Sequence, residues 1–76
     1  MELFELSSER PRALIVKKLL EFGIPRERII APFGSNNVIV RLSVSEWLGV
    51  MSFPWIYVEK YNPWKYKLTK NKKTNM

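Results

Sequence analysis

Cysteine and histidine are both missing from the 76 residues, and each absence removes a class of chemistry. Without cysteine there is no disulfide to staple a small fold. Without either residue the usual ligands of a structural zinc site are gone, so no metal is expected. The absence of histidine also excludes Ser–His and Cys–His activation of a nucleophile. Acids are few, seven in all, and glycines fewer still, at Gly23, Gly34 and Gly49. Those three form no phosphate-binding loop. Nothing points to a paired-carboxylate hydrolase, because Glu5, Glu9, Glu21 and Glu46 read as surface or capping residues. The chain is expected to be non-enzymatic and to need no cofactor. No apolar run approaches the roughly 20 residues that cross a bilayer, so no membrane partner is expected. The first residues, Met1-Glu2-Leu3-Phe4-Glu5, carry acids where a secretory leader carries bases. This implies a cytoplasmic protein, or an extracellular one if it is released from a precursor.

What is present suits a single binding domain. A chain of this length buries only about 60% of its unfolded surface, so its stability rests on apolar packing. The net charge of +6 is unevenly placed. Residues 1–64 hold eight Arg/Lys against seven Asp/Glu. The end of the chain adds Lys65, Lys67, Lys70, Lys72 and Lys73 with no acid. We therefore divide the chain into a folded body, 1–64, and a basic tail, 65–76.

Glu2 to Leu6, a short run that mixes polar and apolar residues, reads as a half-buried strand. Ser7 or Ser8 offers a helix cap, and Pro11 falls in the first turn. Ala13, Val16 and Leu20 lie beside Ile15, Leu19 and Phe22 at helical spacing, and Gly23 followed by Pro25 ends the run. The first helix is expected over residues 8–22. Arg28 to Ala31 is a short β-prone run. Gly34-Ser35-Asn36-Asn37 is a turn cluster, and Val38 to Leu42 is the strongest strand, so the two runs form a hairpin. Ser43-Val44-Ser45-Glu46 is a capping box that opens a second helix reaching Met51, with Val44, Trp47, Leu48 and Met51 available for its buried side. Trp55 to Glu59 is the fourth strand, following Pro54.

The order β-α-β-β-α-β predicts an α+β, ferredoxin-like fold: one four-stranded antiparallel sheet with two helices on one face. Right-handed crossovers are expected to bring outer and inner strands into parallel contact. Alternation puts Val38, Val40, Leu42, Ile56 and Val58 under the helices. Ile39, Arg41, Trp55, Tyr57 and Glu59 then face the open side, where exposed aromatics suit a partner.

The second half carries a further pattern. Asn37-Val-Ile-Val-Arg-Leu-Ser43 leads into Val44-Ser-Glu-Trp-Leu48, and that into Ser52-Phe-Pro-Trp-Ile-Tyr-Val-Glu-Lys-Tyr-Asn-Pro-Trp-Lys-Tyr-Lys-Leu68. With the helix from Ala13 to Gly23, this resembles the propeptide domain of subtilisin-family proteases over about residues 13–68. The resemblance implies a folding chaperone and inhibitor of a subtilisin-like protease. It implies that the open sheet face packs on the protease, through Trp55, Tyr57 and Glu59. The segment after the last strand, from Tyr61, Asn62 and Pro63 through Trp64 and Tyr66 to Leu68, would lie in the substrate cleft as an added strand. No protease sequence follows, so the chain is expected either to act as a stand-alone inhibitor or to reuse the fold for another partner.

Nucleic acid is the alternative partner. Lys65, Lys67, Lys70, Lys72 and Lys73 can neutralise phosphates, with Arg41 on the sheet adding a sixth charge. Trp64 and Tyr66 can stack on bases. Against this, the third strand presents Ile39 and Arg41 where an RNA-recognition sheet places aromatics. Oligomeric state is not set by the sequence.

Overall fold

The computed structural model describes residues 1–63. The expectations that fall on Trp64, Lys65, Tyr66, Lys67, Leu68, Lys70, Lys72 and Lys73 lie outside the described residues.

Four strands and two helices follow in the expected order. Strand β1 spans Glu2–Ser7, helix α1 Arg12–Phe22, β2 Ile29–Ile30, β3 Val38–Leu42, α2 Val44–Met51 and β4 Tyr57–Lys60. The sheet order is β2-β3-β1-β4. β1 lies centrally, with Leu6 opposite Val38 on one side and Val58 on the other. The fold is α+β with an antiparallel four-stranded sheet, consistent with the ferredoxin-like class. One detail of the expectation is corrected: hydrogen-bonded neighbours are all antiparallel. Each parallel pair linked by a helix, β1 with β2 and β3 with β4, is split by an intervening strand.

The core follows from alternation. Phe4, Leu6, Val38, Val40 and Leu42 project from one sheet face into Ile15 and Leu19 of α1, Val50 of α2, and Ile24 and Ile56 from the connections, and all ten are buried. Val58 packs against this cluster from the edge, as its place in the alternation requires.

Helix α1 is shorter than expected. It starts at Arg12, with Pro11 in an extended conformation as its N-cap and no side-chain cap. Proline disfavours helical geometry in the residue before it, so the helix cannot run upstream through Arg10. Ser8 instead accepts a hydrogen bond from the Arg10 amide (3.0 Å). Gly23 closes the helix in the left-handed conformation, φ 101°, as the Gly-Ile-Pro stop implies. Strand β2 loses Arg28 and Ala31, because Arg26–Arg28 wind into a 3₁₀ turn after Pro25. β4 begins two residues late, since Pro54 and Trp55 form a turn closed by the Ile56 amide on the Phe53 carbonyl (3.3 Å).

Helix α2 has the expected bounds, and its capping box is complete: Glu46 N–H donates to Ser43 Oγ (3.3 Å) and Ser43 N–H to Glu46 Oε1 (2.9 Å). Its buried side differs from the expectation. Val50 is buried and Trp47 is half-buried, its ring stacked on Phe4 (centroids 5.3 Å apart). Val44, Leu48 and Met51 are exposed instead, because the helix meets the sheet along the Trp47–Val50 line. A stripe of apolar residues recurs on both sides of this short helix, so spacing alone cannot choose between them.

Glu46 does more than cap. Its carboxylate receives both arms of Arg28 (2.9 and 3.0 Å), a fork-to-fork pairing that ties the start of β2 to α2. The Arg28 hydrogen bond first, and then the Ser43 amide, hold the Glu46 carboxyl well below its ordinary value, at about 2. A depressed folded-state value adds stability that is complete above pH 4.5 and is lost as pH falls towards 2. Denaturation midpoints measured across that window should therefore drop steeply for the wild type and less steeply for Glu46→Gln.

Gly49 marks the helix–helix contact. A methyl built on it would sit 2.3 Å from Phe22 Cζ, and Phe22 packs edge-on against Phe53 (5.9 Å). Alanine in a helix is favoured over glycine by about 1 kcal/mol, but overpacking costs about 1–3 kcal/mol. Gly49→Ala should therefore fail to stabilise the wild type, yet raise stability by about 0.5–1 kcal/mol in a Phe22→Ala background. Chemical denaturation of the four proteins in this cycle measures both.

Candidate protein-binding face

The sheet face away from the helices takes every second residue of each strand: Leu3, Glu5 and Ser7 from β1, Ile30 from β2, Ile39 and Arg41 from β3, and Tyr57 and Glu59 from β4. Tyr61 extends the ladder, its amide donating to the Leu3 carbonyl (3.0 Å). The expected open-side residues Ile39, Arg41, Tyr57 and Glu59 are thus brought together on one surface. Tyr57 and Arg41 are exposed on it, while Ile39 and Tyr61 are half-buried.

Trp55 is the exception. Lying before β4, it packs against the core cluster, and the Arg10 guanidinium lies 4.8 Å from its ring centroid. A cation over an indole face shields it from water and fixes its edge at the end of the sheet. Asn62 and Pro63 are exposed beyond β4.

The centre of the face was not legible as such from the sequence. Glu5 read as a surface or capping acid, yet it is only 4% exposed. β1 is one of the two inner strands, with β3 and β4 as its neighbours, so its outward residue has Ile39 on one side and Glu59 on the other. The Asn37 side-chain amide donates to Glu5 Oε2 (2.7 Å), a charge-assisted bond from the turn cluster into the middle of the sheet. Two signals pointed here: the mid-strand position of Glu5, and a strand order that makes β1 an inner strand.

The loop from β2 to β3 builds one wall. Arg12 at the start of α1 donates to the carbonyls of Pro32 (2.6 Å) and Ser35 (2.5 Å). Ser35 Oγ accepts from the Asn37 amide (3.0 Å). Pro32, Ser35, Ile39, Glu5 and Tyr61 then surround a hollow of about 200 Å³. Tyr61 also borders a shallower depression of about 640 Å³, shared with Leu3, Arg41 and Pro63. The face therefore carries carboxylates at its centre, a guanidinium towards one end, and a half-buried tyrosine between two concavities.

No family model, curated protein or solved structure matches the chain. Among the described residues, no three or more acids gather into a metal-binding group, and no helix is long and apolar enough to cross a membrane.

The Glu5–Asn37 bond carries a stability consequence. Removing one donor to a buried carboxylate costs about 1–3 kcal/mol. Asn37→Ala should lower the unfolding free energy by that amount and leave the far-UV circular dichroism of the folded protein unchanged.

Proposed function

We propose that this chain is a non-enzymatic protein-binding domain that acts as a stand-alone inhibitor, and folding chaperone, of a subtilisin-like serine protease. The observation that carries the reading is the composition of the open sheet face. Tyr57, Glu59 and Tyr61 share it, and the chain leaves it at Asn62–Pro63 directly from an edge strand. This supports a two-part contact, in which the face docks on the protease surface and the segment from Tyr61 to Leu68 enters the cleft by strand addition. Proline at position 63 restricts the backbone there and lowers the ordering cost of binding. Trp55 stands outside this contact, packed against the core cluster with Arg10 over its ring.

The nucleic-acid alternative finds less support on this surface. Glu5 and Glu59 stand side by side on it, and Arg41 is the cation that faces outward from β3. A ribonucleoprotein role would then rest on the tail lysines.

Titration of the purified protein into a subtilisin-type protease tests the proposal. Residual activity should fall with tight, stoichiometric inhibition, and intact-mass analysis should show slow cleavage. A version lacking residues 62–76 should keep the fold and lose the inhibition. Rapid digestion of the full chain without inhibition, or full potency of the shortened one, would overturn the reading.

A further inference from the structure

Two features remain that the open sheet face does not use. One is Phe33, whose side chain is fully exposed at the tip of the β2–β3 loop. It occupies the second position of a turn in which the Ser35 amide meets the Pro32 carbonyl (3.3 Å) and Gly34 takes φ 79°. A positive φ at the third position is the type II arrangement, which glycine makes accessible. The loop is pinned from below by Arg12 on both turn carbonyls, and from the side by Asn37 on Glu5. Residues 31–37 carry no charged side chain. Phe33 is therefore an uncharged apolar wedge on a braced backbone, and a turn that is already formed loses little further freedom when its side chain docks.

The other feature is a pocket of about 340 Å³ beside the start of α2, with Met1, Phe4, Leu42, Val44 and Trp47 as its apolar lining. Its charged rim residues, Glu2 and Lys60, are paired with each other (3.5 Å), so an apolar group can enter without stranding a charge. The stacked Phe4 and Trp47 rings present an aromatic wall, which suits an incoming phenyl ring.

Wedge and pocket stand at opposite ends of the sheet. β3 leaves the Phe33 loop at Val38 and reaches the pocket at Leu42. Four residue steps separate these ends by about 13 Å, so Phe33 cannot fill the pocket of its own chain. We propose that the protein self-associates head to tail, with Phe33 of one copy entering the α2 pocket of the next. Such a contact joins two different surfaces and generates open chains or rings rather than a symmetric dimer. One side chain in one pocket buries well under the roughly 1,200 Å² of a stable interface, so the association is weak and concentration-dependent. Neither surface includes Tyr57, Glu59 or Tyr61, so the contact is independent of the protease-binding proposal.

Sedimentation velocity and backbone amide shifts over about 20 µM to 2 mM, a range that spans weak affinities, read this out. Wild type should shift from monomer to larger species as concentration rises. Phe33→Ser loses the wedge, and Val44→Glu blocks the pocket with an acid tolerated in the first turn of a helix. Both positions are exposed, so both variants should fold, and each alone should stay monomeric. Phe33→Ser keeps the pocket and Val44→Glu keeps the wedge. An equimolar mixture should therefore form a 1:1 heterodimer and grow no further. A wild type that is monomeric throughout, a Phe33→Ser protein that associates as wild type does, or a mixture that stays monomeric would each overturn the proposal.

Discussion

Glu46 is the residue on which the arrangement turns. One carboxylate closes the capping box at Ser43 and grips both arms of Arg28. The first contact starts α2 directly after β3. The second fastens the 3₁₀ turn that leads into β2, an edge strand of only two residues. So short a strand has little ladder of its own, and a neighbour must hold it. Arg28 also reaches the Arg41 carbonyl at the end of β3 (3.4 Å), so the edge, the inner strand and the helix meet at one side chain. A carboxylate engaged this fully stays ionised far into acid, which keeps the junction intact over the ordinary range of pH.

Away from that junction the fold has no staple. Ten buried apolar residues form a thin core, and the elements around it are braced by polar contacts at the ends of the sheet. At one end Arg12 holds the β2–β3 loop by two carbonyls, and Asn37 from the same loop reaches Glu5. The helix layer closes where Gly49 lets Phe22 approach α2. These braces also shape the surface. The same loop that supports the central carboxylate walls one hollow of the open face and lifts Phe33 into solvent.

Much of the fold was legible because its signals are local. The β-branched run Val38–Leu42 read as a strand, and its two-residue period set Val38, Val40 and Leu42 on one side. Ser43 followed by Glu46 named the start of α2, and Gly23 the end of α1. The errors came where a local signal had a competitor. Ser8 has the chemistry of a cap, but Pro11 forbids the helix it would cap. Arg28 to Ala31 has β propensity, but Pro25 and the pull of Glu46 wind its first residue into a 3₁₀ turn. Trp55 belongs to an apolar run, but Pro54 turns the chain before the strand can begin.

The sequence by itself determined the element order, the antiparallel sheet and the residues beneath the helices, because hydrophobic period and turn chemistry are written residue by residue. It also determined that Tyr57 and Glu59 share an outward side. Only the tertiary structure decided that Glu5 sits buried between Ile39 and Glu59, since that depends on β1 lying between β3 and β4. It alone decided which apolar side of α2 is covered, because Val50 and Leu48 are equally apolar and only the position of the sheet tells them apart. Phe33 follows the same rule: only the braced turn of the folded chain places its ring in solvent.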